Sequence, residues 1–464
     1  MRRPDRTLWW EAFCAEIRAI IANDTWMLTD LPNGFKALPL KWVCRTKRDA
    51  NNVFEKYKAR IVVKGYAQEA GLDFDKTFAP VVRIESVRAI LAIAAADDLF
   101  ILHVDCTNAF LNGQSDWEIY VLQPEGFIDP MYPDKVLRLN KALYGFKQAP
   151  RIWYLLLCGV IVGLVFVVLE TDTSIYIRGE IIIEVYVDDI KILGPNKELC
   201  YEVYHELCKH FKMQDKGAVK SFLGLNVTRN WQEHSISINQ PGYVDRLLAR
   251  FNMINAKTSK TPLEPGCQLL KATETDKLCD PTRYQELTGS LNHLAVFSRP
   301  DISFAVSKLS QFNATPTMTH WKAGLHVLRY LKLTRNYCIT YKRFTIPTRV
   351  FGYADTDYGS KRSNIIHRLC LSVEWRNHLM EFAQTINDSA FYNGCGIYGI
   401  IRCISRSTRK ETIWSRTQAS LSVNTNYNSF RQSICPRDRR KSSKLSQSQA
   451  YRYSLSCYPT LSSK

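Results

Sequence analysis

Two consecutive acids, Asp188 and Asp189, stand between the apolar runs Ile181-Ile182-Ile183-Glu184-Val185 and Ile190-Lys191-Ile192-Leu193. This pattern predicts a strand, a tight turn and a second strand, with two carboxylates at the bend. Asp105 has a similar setting: it closes Ile101-Leu102-His103-Val104 and precedes Cys106-Thr107-Asn108-Ala109-Phe110-Leu111. Carboxylates gathered at the ends of buried strands repel one another unless a cation neutralises them, and hard oxygen donors suit magnesium. Two Mg2+ ions held this way, with Mn2+ as the substitute, would activate a primer hydroxyl and stabilise a leaving pyrophosphate. That is the chemistry of a polymerase.

An acidic pair alone is weak evidence. Asp97-Asp98 follows the helix-like stretch Val87–Ala96 and is expected to mark a solvated helix end. What distinguishes Asp188-Asp189 is its β-branched flanks, where carboxylates are hard to tolerate without a role. On this pattern alone, a metal site and a polar hairpin turn stand about equal.

The elements that must position these acids can be read from periodicity. Leu38 to Lys47 and Phe54 to Val63 predict a hairpin turning at Asp49-Ala50-Asn51-Asn52. In its second strand Lys56, Lys58 and Arg60 share one face, opposite Tyr57, Ala59 and Ile61. The local pattern favours a solvated strand face. An amphipathic helix is expected around Trp9, Phe13, Ile17 and Ile20, and helices over Tyr243–Phe251 and Trp321–Leu331. His293, His320 and His326 have no metal-ligand spacing and are read as packing or surface residues. The run from Ile152 to Leu169 carries no charge and just reaches membrane-spanning length. It is expected to be a helix of one soluble domain with an exposed apolar stripe, because a bilayer would split the motifs on either side.

A chain of 464 residues has room for two to four compact units. Its 14 cysteines are scattered, without a C-x-x-C pair, as thiols of a reducing compartment would be. The start, Met1-Arg2-Arg3-Pro4-Asp5-Arg6, is no signal peptide, so an intracellular site, cytoplasmic or nuclear, is expected. The net charge of +18 is uneven: residues 361–464 hold 17 Lys and Arg against five Asp and Glu. The first 360 residues are only mildly basic, and global charge says little about nucleic-acid binding there.

Longer segments carry a resemblance. Lys56-Tyr57-Lys58-Ala59-Arg60-Ile61-Val62-Val63-Lys64-Gly65-Tyr66-Ala67-Gln68, Thr77-Phe78-Ala79-Pro80-Val81-Val82-Arg83 and Asn108-Ala109-Phe110-Leu111-Asn112-Gly113 occur in order. Gln123-Pro124-Glu125-Gly126-Phe127, Leu143-Tyr144-Gly145-Phe146-Lys147-Gln148-Ala149-Pro150-Arg151 and Ser298-Arg299-Pro300-Asp301-Ile302 follow. Together they resemble the reverse transcriptase of Ty1/copia-type retrotransposons over about three quarters of the chain, to about residue 357.

The resemblance implies an α+β right-hand polymerase: an antiparallel palm sheet, a fingers hairpin and a helical thumb, followed by a partial RNase H-like segment. Residues 1–25 would be a lead helix, 26–230 fingers and palm, 231–345 thumb and connection, and 346–464 a degenerate RNase H start with a basic tail. It implies RNA-directed DNA synthesis, with Asp105, Asp188 and Asp189 holding two Mg2+ ions. Lys58 and Arg60 would meet the incoming deoxynucleoside triphosphate, Phe110 would bar a ribose 2′-hydroxyl, and Gln148 would touch the nascent base pair. Phe222, Leu223 and Gly224, in the segment Phe222–Val227, look like the strand that grips the primer. The implied partners are an RNA template, a DNA primer and deoxynucleoside triphosphates, with self-association as a further option and no membrane.

Asp355 matches the first metal-binding carboxylate of an RNase H domain. Downstream acids are Glu374, Glu381, Asp388, Glu411 and Asp438, none in a segment that matches the family. No RNase H activity is therefore expected. From about Gly359 the resemblance fades into a Ser-, Arg- and Lys-rich tail, as a shifted frame or a disordered basic extension would give. The rival reading is an inactive retroelement relic that binds nucleic acid non-specifically through that tail.

Overall fold

The computed structural model describes residues 5–48 and 54–343, and the backbone of the strands Val350–Thr356, His367–Trp375, His378–Ile386 and Tyr451–Tyr453. The chain divides into two units. The first runs from the N-terminus to Arg246 and takes back Arg335–Tyr341; the second holds Leu247–Thr334 and the residues from Lys342 onward.

At the centre of the first unit lies a six-stranded antiparallel sheet. Its order is Met213–Ala218, Phe100–Cys106, Asp189–Gly194, Ile181–Tyr186, Ile175–Arg178, Val167–Val168. The two-residue period divides the sheet's residues between its faces. Leu102, Val104, Cys106, Ile183, Val185, Ile190 and Ile192 point into a core shared with Trp153, Leu157 and Ile161 of the helix Ala149–Gly163 and with Cys200, Val203 and Leu207 of the helix Lys197–Cys208. Each such large side chain contributes about 1.5–3 kcal/mol by leaving water. The opposite face carries His103, Asp105, Glu184, Asp189 and Lys191.

The expected hairpin forms from Leu40–Arg48 and Phe54–Val63; its turn lies outside the described residues. Ala59, Ile61 and Val63 are buried, Ile61 and Val63 in a second core with Ile20, Leu38, Leu111 and Phe146. The loop after Leu143 is drawn against this hairpin by a hydrogen bond from the Val63 N–H to the Tyr144 carbonyl, 2.8 Å. Gly145 makes that approach possible: its φ is +92°, and a Cβ there would collide with the Val63 carbonyl.

The uncharged run folds as the helix Ala149–Gly163, ended by Val165 in the left-handed region before the strand Val167–Val168. Fifteen residues rise about 22 Å, short of a bilayer core. Among the described residues no helix is long and apolar enough to cross a membrane. One side of this helix is core; Leu155, Leu156 and Val162 on the other are exposed.

Three readings are corrected. Asp98 is not merely solvated: it accepts hydrogen bonds from Arg229 and His234. Phe222–Val227 is not one strand but a tight hairpin, with Leu223 and Gly224 both at positive φ between Ser221–Phe222 and Leu225–Asn230. The first unit extends beyond residue 230, because Ser235–Asn239 pairs with Leu225–Asn230.

In the second unit the helices Pro281–Phe297, Ser303–Ser310 and Met318–Leu333 bury Tyr284, Leu287, Leu291, Leu309, Val327 and Leu331. His320 completes a capping box with Thr317 and stacks on Phe312; His326 meets the Ser259 hydroxyl; His293 stacks on Phe297. All three histidines are packing residues.

Farther on, Val350–Thr356 pairs antiparallel with both His367–Trp375 and Tyr451–Tyr453, and His367–Trp375 also with His378–Ile386. Three of these strands lie in the stretch read from sequence as tail. Leu369, Leu371, Val373 and Trp375 recur there at a period of two, which suits a strand. Asp355 is in the first strand, opposite Arg368, but its side chain, like Asp388, Glu411 and Asp438, lies outside the described residues.

Candidate active site

The strands Ile181–Tyr186 and Asp189–Gly194 pair from Tyr186 opposite Asp189, leaving Val187 and Asp188 as a two-residue turn. Val187 has a φ of +57°, an uncommon conformation for a β-branched residue. Its carbonyl accepts the indole N–H of Trp153 at 2.7 Å, so the helix behind the sheet braces the turn. On the other flank Asp189 stands directly opposite Asp105, and the Cys106 N–H donates to the Asp188 carbonyl at 2.8 Å. Asp105 and Asp189 thus face each other at one end of the sheet, with Asp188 in the adjoining turn.

Like charges so close need compensation. The Lys216 ammonium supplies it, donating to Asp105 Oδ1 at 2.8 Å and Asp189 Oδ1 at 2.9 Å. The His103 Nε2 lies 3.1 Å from the same Asp189 oxygen. Burial pushes the Asp189 carboxyl up, but the hydrogen bonds from His103 and Lys216 outweigh it and hold the group at about 2. Asp188 is pushed up by burial, then by the charges of Asp105 and Asp189. Burial opposes the charge on Lys216, yet its two carboxylate partners raise it overall.

Among the described residues no group of three or more His, Cys, Asp and Glu side chains stands ready to hold a metal ion. The donor chemistry nevertheless fits a hard divalent cation: the converging groups are carboxylate oxygens, and two of them already share one positive charge, the ammonium of Lys216.

Lys58 and Arg60 are half-buried on one face of the hairpin strand. Burial lowers the Lys58 ammonium, with Arg60 and Lys47 adding to the effect and Glu16 and Asp105 opposing it. The Arg60 guanidinium lies over the Tyr144 ring, 4.4 Å from its centroid, and Tyr144 meets Phe110 edge to face at 5.1 Å. Burial pushes the Tyr144 hydroxyl up to about 12. Arg60 and Phe110 are therefore brought together through a residue that sequence reasoning passed over.

Gln148 is placed differently. Its side chain is buried, and its amide nitrogen donates to the Asp73 carbonyl at 3.0 Å, while its oxygen accepts from Gln68 at 3.0 Å. It ties two loops together. Phe222 is also buried, with the Lys191 ammonium 3.8 Å from its ring centroid and His103 at its edge. Beside it Lys191 and Glu184 form a wholly buried ion pair at 2.8 Å. Burial raises the Glu184 carboxyl and lowers the Lys191 ammonium. Lys216, His103 and Tyr144 were the site residues missed. The alternation of His103 with Val104 and Leu102 was the one available signal, since it puts His103 on the same face as Asp105.

The family described as reverse transcriptase (RNA-dependent DNA polymerase) matches residues 23–265, a span that includes every residue of this site. The chain is 33% identical to the retrovirus-related Pol polyprotein from transposon TNT 1-94 of Nicotiana tabacum, over 89% of this chain and 32% of that protein. It is 39% identical to the Pol polyprotein from transposon RE1 of Arabidopsis thaliana, over 77% of this chain and 24% of that one. With a transposon Ty5-1 protein of Saccharomyces cerevisiae the identity is 36%, over 52% of this chain and 78% of the relative. The chain thus spans a quarter to a third of the two polyproteins. The match to the Nicotiana polyprotein covers enough of the chain to continue beyond residue 359, where the sequence reading expects the resemblance to fade.

Proposed function

Because this chain belongs to the reverse transcriptase (RNA-dependent DNA polymerase) family of copia-type retrotransposons, we propose that it extends a DNA primer on an RNA template. The observation that carries the proposal is Asp189 opposite Asp105 across paired strands, with Asp188 in the adjoining turn. These three side chains would hold the divalent cations, two Mg2+ ions in our reading. When bound, the ions supply Lewis-acid stabilisation of the charge that develops on the α-phosphate and its leaving group. Lys58 and Arg60 approach from the hairpin and neutralise the triphosphate. The stack of Arg60 on Tyr144 and Tyr144 on Phe110 holds the Phe110 ring where a ribose 2′-hydroxyl would collide with it. The Phe222-Leu223-Gly224 hairpin, packed on the same face as the acids, supports the primer end. Gln148 acts by bracing the loop that carries Tyr144. An RNA template is held through its backbone and A-form shape rather than its sequence.

The test is primer extension on an RNA template with Mg2+, using the full chain beside an Asp188→Asn variant. Extension by the native chain and its loss in the variant support the reading. A folded native chain that extends nothing, yet binds nucleic acid in a salt-sensitive and sequence-blind way, marks an inactive relic.

A further inference from the structure

Lys216 owes its position to a defect in the sheet. The edge strand Met213–Ala218 pairs with Phe100–Cys106 in register as far as Asp215, opposite Val104, and resumes at Ala218, opposite Leu102. Lys216 and Gly217 form the bulge between, with Gly217 at a φ of +73°. A bulge re-aims a side chain that regular pleating would direct elsewhere. This one is braced: the Asp215 carboxylate accepts the Gly217 N–H at 2.6 Å and the Tyr201 hydroxyl at 2.8 Å. The outcome is one ammonium shared by the facing oxygens of Asp105 and Asp189.

Those oxygens are the ones a divalent cation would need. We infer that Lys216 is a built-in counter-ion, holding the two acids together without metal and competing with the divalent cation for them, so that binding the cation requires the ammonium to leave. This inference rests on the proposal that the acids hold metal. The ammonium is about a third exposed and sits on an edge strand, so it can withdraw into solvent without disturbing the core. Two charge-assisted hydrogen bonds in a partly solvated place imply an effect on metal affinity of about tenfold.

The test measures Mn2+ binding to the full chain by electron paramagnetic resonance, with thermal unfolding of each variant with and without Mn2+. Lys216→Met should bind Mn2+ about tenfold more tightly than the native chain, and Lys216→Arg should stay near native. Without metal, Lys216→Met should unfold at a lower temperature and regain more on adding Mn2+ than the native chain does. Lys216→Gln serves if the methionine variant does not fold. Binding that Asp189→Asn abolishes but that Lys216→Met leaves unchanged or weaker overturns the counter-ion role and spares the metal proposal. No aspartate-dependent binding in any variant overturns both.

Discussion

Trp153 reaches through the sheet's apolar side and donates its indole N–H to the carbonyl of Val187, the residue that turns the chain into Asp188. The turn is thereby held in a conformation that a valine resists. Trp153→Phe keeps most of the packing and removes the donor. We expect a loss of about 1 kcal/mol in stability, read by urea unfolding, and a larger proportional loss in primer extension under conditions where the variant stays folded. Equal losses would mean that the bond serves packing alone. Val187→Gly is the complement: it relieves left-handed strain of about 1–3 kcal/mol against about 1 kcal/mol of added chain entropy and about 1 kcal/mol for a half-buried side chain packed on the core. Its stability should therefore lie near the native value.

Acid should expose the compensation around Asp189. Its folded carboxyl is held at about 2, below the ordinary 3.8, so its contribution is complete above about pH 4. That contribution is lost as pH falls toward 2. Urea unfolding at a series of pH values should show a smaller loss over this window in Asp189→Asn than in the native chain. Asp188 works in the opposite sense, because its folded carboxyl is raised by burial and by its acidic neighbours. Its charge lowers stability as pH rises, and Asp188→Asn should be more stable than the native chain near neutrality. A less stable Asp188→Asn would mean that the turn depends on the charge itself.

The buried pair of Glu184 and Lys191 makes the third prediction. Each residue is fully enclosed, so removing one partner strands the other. Glu184→Leu or Lys191→Met alone should cost about 3–5 kcal/mol, whereas the double variant Glu184→Leu with Lys191→Met should recover most of it. A double-mutant cycle from urea unfolding measures this coupling. Additive losses would show that the pair is not acting as a unit.

The parts of the site that sequence made legible share one property: their signal is local. Asp188-Asp189 stands out because β-branched runs enclose it, and the Lys58 and Arg60 face because a strand alternates. The parts that were hidden depend on register between distant segments. Nothing near Lys216 says that a bulge will carry it onto Asp105, 111 residues away in sequence. Tyr144 is one aromatic in a loop until Gly145 lets that loop approach the hairpin. Phe222 to Val227 reads as one extended run because Leu223 does not advertise a positive φ as glycine does. Glu184 and Lys191 look like interruptions of apolar strands until their pairing across the hairpin is known.

The strands that carry Asp105 and Asp189 have neighbours on both sides, whereas among the described residues the strand that carries Lys216 is bonded on one side only. Amide hydrogen exchange should therefore separate them: Val104 and Ile190 exchange through global opening, while Gln214 exchanges through fraying of the edge. The acids cannot come apart without melting the sheet, but the charge that joins them can leave by a motion far cheaper than unfolding. Rigid ligands and a loosely tethered counter-ion are thus built into adjacent strands, and the two can be followed as separate kinetic populations in one protein.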